Sequence, residues 1–230
     1  MTLDIVIPSK DRKKKLDACL NSLFHSVKDN DVTVYLYFSI KEEHDEYEKF
    51  FEQVPTVKIK WVENYRVPDF WNSHLHDTKA DAICYINDDI IFFEDTITTI
   101  FKEFQEKFPD YDGVMGLRQA NIPEDQAVEG AFGVIGLPYA KRFPSKQVFC
   151  PDYDRFFGDF ELWRFAKTID KFYFCTTARI QHMHPLGNRD LEDKTHKDVR
   201  RYLASDKQTF RLRKAKEYLW GKTWNLINER

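Results

Sequence analysis

The chain has 230 residues, 42% of them hydrophobic and 32% charged, with a formal net charge of −3. That length accommodates one α/β domain with a sizeable core, or a domain and a short appendage, and the composition excludes a fibrous or disordered chain. No apolar run approaches the roughly 18 residues that a membrane-spanning helix needs, so no membrane span and a cytoplasmic setting are expected.

The chain opens on Leu3–Pro8, a buried-strand pattern too short for a signal peptide. Lys13–Val27 follows as a helix with Leu16, Leu20, Leu23 and Phe24 on one face. Thr33–Ile40 reads as a second strand, Glu42–Gln53 as a charged helix and Val57–Val62 as a third strand. Asp69–Lys79 is helical, Ala82–Asn87 is a very apolar fourth strand, and Asp95–Phe108 is a helix. Strands alternating with helices of 10–15 residues predict a mainly parallel sheet covered on both faces.

Beyond Asp112 the rhythm loosens. Gly113–Leu117 and Ala131–Leu137 read as strands, Phe160–Ile169 as a helix and Phe172–Ile180 as a last strand. From Leu191 the pattern is helical, with Tyr202, Phe210, Leu219 and Trp224 as docking residues. The expected organisation is one domain over residues 1–190 and a helical extension over 191–230. From Lys197 to Arg230 ten Lys and Arg face four Asp and Glu, a local +6 that leaves −9 on the rest. A basic tail on an acidic body points to a phosphate-bearing partner or to a solvated helix face. Cys19, Cys84, Cys150 and Cys175 fit no metal-ligand spacing and read as buried thiols.

In open parallel sheets, ligands sit beyond the carboxyl ends of the strands. Four polar clusters stand at strand or helix ends: Pro8-Ser9-Lys10-Asp11-Arg12 after the first strand, Asn87-Asp88-Asp89 after the fourth, Gly158-Asp159-Phe160-Glu161 before a later helix and His182-Met183-His184-Pro185 after the last strand. Adjacent carboxylates closing an apolar strand repel each other and are costly to desolvate unless a cation compensates. Mg²⁺ or Mn²⁺ takes one or two carboxylates and completes its shell with phosphate oxygens and water, so Asp88-Asp89 reads as a diphosphate–metal platform or else as a solvated turn. His182 and His184 fall on one side of an extended segment, where one imidazole completes the metal shell and the other contacts phosphate or packs. Asp159 and Glu161 open a helix, as dipole-favoured residues or as a general base that takes an acceptor hydroxyl proton. A P-loop is absent, and Gly130, Gly133 and Gly136 do not have dinucleotide-fingerprint spacing.

At these residues the sequence resembles the GT-A glycosyltransferases, particularly family 2, over roughly Leu3 to His184. The resemblance implies a Rossmann-like, mostly parallel sheet flanked by helices, with a divalent metal and a nucleoside diphosphate sugar as donor. It places Pro8, Ser9, Asp11 and Arg12 near the nucleotide and makes Asn72, after Trp71, face the donor. Tyr85-Ile86-Asn87-Asp88-Asp89 resembles the metal-binding carboxylate motif, with Asp88 at the donor and Asp89 the metal ligand. Gly158-Asp159-Phe160-Glu161-Leu162-Trp163-Arg164 resembles the base motif, with Asp159 as the base and Glu161 next to it in rank. His182 or His184 matches the C-terminal metal histidine. Two departures stand out: Ser39-Ile40-Lys41 ends the second strand where many members carry an acidic residue, and Gly158 stands where a Glu usually precedes the Asp.

His-x-His-Pro, the short length and the Pro8-Ser9 start also resemble small phage- or virus-encoded members, some of which glycosylate hydroxymethylated bases in DNA. The implied activity is inverting transfer of a sugar to a hydroxyl of a glycan or of such a base. The alternatives are a metal-dependent nucleotide-sugar hydrolase or nucleotidyltransferase, and an inactive nucleotide-binding module. Oligomeric state is left open by the sequence.

Overall fold

The computed structural model describes residues 1–63, 66–123, 128–185 and 192–223. Its centre is β1 (Leu3–Ser9), whose seven residues are all buried. Side chains alternate across a strand, so Leu3, Ile5 and Ile7 enter one hydrophobic cluster while Val6 enters the other. Asp4, buried on the second side, accepts hydrogen bonds from Thr78 and pairs with His74 at 2.9 Å, as a buried charge must.

Around β1 the chain lays down α1 (Lys13–Val27), β2 (Val32–Phe38), α2 (Lys41–Phe50), β3 (Val57–Trp61), α3 (Val67–Asp77) and β4 (Ala82–Tyr85). It continues through β5 (Ile90–Phe92), α4 (Thr96–Lys107), β6 (Val114–Gln119), β7 (Gly133–Gly136) and α5 (Leu137–Ala140). The last elements are α6 (Gly158–Thr168), β8 (Phe172–His182) and α7 (Lys194–Ala215). The eight strands form one mixed sheet in the order β3-β2-β1-β4-β7-β6-β8-β5. Strands β3, β2, β1 and β4 run parallel, as do β6 and β8, whereas β7 and the edge strand β5 pair antiparallel.

Helices cover both faces. Leu16, Leu20, Tyr47, Ile97 and Phe104 from α1, α2 and α4 fill one side. Phe70, Trp71, Tyr139, Leu162 and Phe165 from α3, α5 and α6 fill the other. Each such side chain contributes roughly 1.5–3 kcal/mol on leaving water. All four cysteines are buried and free, as the apolar surroundings predict.

Three local features depart from the sequence expectations. The short strand β5 lies between the expected strand Ala82–Asn87 and the expected helix Asp95–Phe108, where no element is predicted. Helix α6 starts at Gly158, two residues early, because Phe157 adopts a left-handed backbone (φ 72°) that turns the chain into it. Gly136 lies so close to Tyr111 that a Cβ would come within 1.6 Å of its carbonyl oxygen, so the antiparallel insertion of β7 requires glycine there. The expected docking residue Trp224, and Leu191, lie outside the described residues.

Candidate active site

The site grows from where β1 and β4 end side by side. The order reverses here, since the chain leaves β1 for β2 on one side while β4 lies on the other, and a crevice opens at such a point. Ser9 ends β1, and its hydroxyl donates to Asp88 Oδ2 at 2.8 Å. Arg12 precedes α1, and its buried guanidinium spans both carboxylates, with Nη1 2.7 Å from Asp88 Oδ1 and Nη2 2.6 Å from Asp89 Oδ2. Its third nitrogen reaches Asp193, which caps α7, at 3.0 Å. Part of the charge compensation that two adjacent aspartates need is therefore built into the chain.

Burial raises the Asp88 carboxyl, with Arg12 and the Ser9 hydrogen bond opposing it. Burial acts the same way on Asp89, but His182, His196 and Arg12 outweigh it and hold that carboxyl well below its usual range. Arg12 is itself buried, yet Asp89, Asp88 and Asp193 raise its pKa and keep it charged.

The register of β5 against β8 brings His182 to Asp89. Ile90 pairs with His182, and the Met183 amide donates to the Asp89 carbonyl at 2.8 Å. Asn121 clamps the His182 backbone through both its amide groups. His182 Nδ1 lies 3.0 Å from the Gln119 side-chain oxygen, so Nδ1 carries a hydrogen and Nε2 is the nitrogen turned inward. There Nε2 lies 3.4 Å from Asp89 Oδ1, and neither buried atom makes a hydrogen bond. With Nε2 deprotonated the two are buried acceptors facing each other, an arrangement that a cation between them would relieve; with Nε2 protonated they form the ion pair that lowers the Asp89 carboxyl. A divalent ion with ligands at about 2.1 Å fits two donors at this spacing, and the donor set of one carboxylate and one imidazole suits Mn²⁺.

His184 lines the same cleft, its ring 4.8 Å from that of His182 and 5.0 Å from that of His196. Burial, reinforced by the neighbouring His182 and His196, lowers its pKa to about 4 and leaves it neutral. Its ring nitrogens do not join Asp89 and His182 in a three-ligand cluster. Among the described residues the group with such mutual reach is His44, Asp45 and Glu48 on α2.

Asp159 lines the cleft of about 210 Å³ together with Asp89, His182 and Trp71. Desolvation raises its carboxyl to about 6, against backbone hydrogen bonds from Phe160 and its own amide. Glu161 is not brought to the cleft. It is 1% exposed, and its oxygens accept from Tyr153, Trp220 and both Arg213 nitrogens that reach it. Asn72, expected to face the donor, instead clamps the backbone of Phe149 with both amide groups. Its neighbour Trp71 faces the cleft. Pro8 is buried inside β1, and Asp11 sits at the rim, paired with Lys194 at 3.2 Å.

Helix α7 contributes more than the sequence predicted. Asp193 pairs with Arg12 and Lys15, and His196 Nε2 lies 3.7 Å from Asp89 Oδ2, opposite His182. Asp193-Lys-Thr-His196 forms a reciprocal cap, a pattern visible in the sequence as an Asp three residues before a polar side chain. Further along, buried Asp206 accepts the backbone amides of Asp154, Arg155 and Phe156 at 2.8–3.0 Å. Those three residues belong to the loop that leads into Asp159, and no linear motif announces that contact.

The sequence matches no protein-family model and no curated protein. Among solved structures, the chain is similar to the mannosyltransferase PcManGT from Pyrobaculum calidifontis in complex with GDP-Man and Mn²⁺, at 11% identity and a TM-score of 0.60 over 78% of this chain and 56% of that one. It is also similar to S. aureus TarS, at 11% identity and a TM-score of 0.58 over 83% of this chain and 38% of that one. The chain thus spans little more than half the length of the first and well under half of the second. No helix among the described residues is long and apolar enough to cross a membrane. The mixed, mostly parallel sheet with helices on both faces is the Rossmann-like GT-A fold shared with these proteins.

Proposed function

We propose that the chain is a metal-dependent glycosyltransferase that moves a sugar from a nucleoside diphosphate donor to an acceptor hydroxyl. The observation that carries this reading is the buried, unbonded pair Asp89 Oδ1 and His182 Nε2, facing a cleft that also holds Asp159. A structural neighbour whose complex contains GDP-Man and Mn²⁺ supports the same donor chemistry. Residues 1–190 carry the reaction in this reading, and helix α7 of the extension over 191–230 closes the site from one side.

Asp89 and His182 would hold the ion, with His184 beside it as a neutral imidazole toward phosphate. A bound divalent ion supplies Lewis-acid stabilisation of the departing diphosphate. Arg12 opposes protonation of Asp88 and Asp89 and fixes both in place, so the carboxylate is presented without reorganisation. Asp159 takes the proton of the acceptor hydroxyl as its oxygen attacks the anomeric carbon, and attack from the face opposite the diphosphate gives inversion. Its pKa of about 6 matches that task, because the base is ionised near neutral pH yet basic enough to accept a proton. The acceptor hydroxyl belongs to a glycan or to a hydroxymethylated pyrimidine base in DNA, and salt-dependent retention on DNA separates the two.

Asp159→Asn tests the chemistry. The variant should bind donor and Mn²⁺ as the parent does while losing transfer by about 10²–10⁴-fold. Near-normal transfer by the variant would remove Asp159 from the base role. Rapid consumption of nucleotide sugar with no acceptor present would instead indicate a hydrolase.

A further inference from the structure

One face of α7 is turned to the body of the protein. Val199 lines the cleft, Tyr202 lines a cavity with Lys10 and Ile40, Asp206 accepts the three loop amides and Phe210 stacks on Phe157. The opposite face carries Lys197, Arg200, Arg201, Lys207, Arg211 and Lys214, all exposed. They recur at helical steps of three, four and seven, so they form one stripe about 26 Å long. Arg200 pairs with Glu192 and Arg201 lies against the Tyr202 ring, while no carboxylate among the described residues pairs with the other four. Helix α7 has two acidic residues of its own, and neither serves the stripe: Asp206 is buried on the other face, and Asp198 lines the cavity.

Like charges at such steps repel each other and weaken the helix that carries them. Lys197 stands against both Arg200 and Arg201, and Arg211 against both Lys207 and Lys214. A polyanion laid along the stripe relieves that repulsion. Leu203 and Leu212, 42% and 56% exposed beside the stripe, decide which kind. A nucleic-acid backbone offers phosphates to the cations and nothing to the leucines, and the stripe has no aromatic ring on which a base could stack. A lipid surface takes both. Its headgroups meet the cations and its acyl boundary meets the leucines, with the Lys and Arg stems covering the border between them.

We propose that the outer face of α7 docks the protein on an anionic lipid surface, with Leu203 and Leu212 entering the boundary below the headgroups. The helix lies along the surface and does not cross it. Thr195, His196 and Val199 of the same helix line the cleft, so a docked chain holds its cleft about one helix diameter, 10–12 Å, from the headgroups. Docking needs neither metal nor nucleotide, and it stands apart from the glycosyltransferase reading.

The test is sedimentation of the full chain with vesicles of phosphatidylcholine and of an equal mixture of phosphatidylcholine and phosphatidylserine, beside binding to duplex DNA at the same salt. The parent should bind the mixed vesicles and not the neutral ones. Lys207→Gln combined with Arg211→Gln should weaken vesicle binding about 25-fold, because one cation near an anionic surface is worth about fivefold. Leu203→Ser combined with Leu212→Ser should weaken it by about tenfold or more and leave any binding to DNA as in the parent. All four positions are exposed, so both variants should melt close to the parent. A parent that ignores the mixed vesicles, or that binds them equally well without the two cations, overturns the proposal. Full vesicle binding by the leucine variant, or tighter binding to DNA than to the mixed vesicles, gives the face to nucleic acid and overturns it as well.

Discussion

Asp159 illustrates how a single environment sets a chemical role. Its carboxyl is desolvated and has no cation among the causes of its shift, so its pKa rises from 3.8 to about 6. The folded state therefore holds that proton more tightly than the unfolded chain does. The sign follows: this group favours folding below pH 4, and the advantage is lost as pH rises to about 6, above which the ionised carboxylate opposes folding. Denaturant titrations between pH 4 and 7 should show this decline in the parent and a flatter profile in Asp159→Asn. The transfer rate should run the other way and rise through pH 6, because the base must be ionised. At His182 the neighbouring amide sets which nitrogen faces the cleft. Gln119 fixes the hydrogen on Nδ1, and outer partners of this kind typically change metal affinity about 10–100-fold. Gln119→Leu should lower Mn²⁺ affinity by that amount with secondary structure intact, as measured by the free-Mn²⁺ resonance signal. Unchanged affinity would mean that Nε2 is not the ligand atom. Asp88, Asp89 and the two histidines stood out as candidates because carboxylates and imidazoles at strand ends are few, and Asp159 as a carboxylate at the start of a helix. Glu161 carries the same chemistry in the same motif, and only its burial against Arg213 and Tyr153 shows that it fastens the fold instead.

At the level of elements, α7 joins the two sides of the cleft. Asp206 makes this quantitative: a single buried carboxylate satisfies three backbone amides of the loop before Asp159. Asp206→Ala removes the partner of three part-buried donors, and each that stays out of water costs about 1–3 kcal/mol. Hydrogen exchange at residues 154–156 should accelerate strongly in that variant, more than in the core strands β1 and β4. Uniform acceleration throughout the chain would show general destabilisation instead of a local clamp. The sequence marked residues 191 onward as helical and named Tyr202 and Phe210 as docking residues, and both face the body. It did not reveal that the helix brings Asp193 to Arg12 and His196 to Asp89, because contacts across more than 100 residues leave no trace in a local pattern. Strand β5 was missed for the opposite reason. Three residues are too few to show a period, and their pairing depends on the register of β8.

Over the whole molecule, the alternation of strands and helices up to Phe108 was readable because each element is long enough to show its period. The insertion of antiparallel β7 between β4 and β6 was not, since topology is decided by tertiary fit, and here by Gly136 against Tyr111. The architecture places four separated polar clusters at one crevice, and the central claim is that a divalent ion and a nucleoside diphosphate bind there together. The direct measurement is the melting temperature of the full chain with UDP, GDP or their sugar conjugates, each with and without Mn²⁺, on the parent and on Asp89→Ala. A ligand bound at one hundred times its dissociation constant stabilises the fold by about 2.7 kcal/mol, an easily resolved shift. The expected result is a rise that needs both Mn²⁺ and nucleotide and that disappears in Asp89→Ala. A rise that is the same without metal, or that persists in Asp89→Ala, would contradict it.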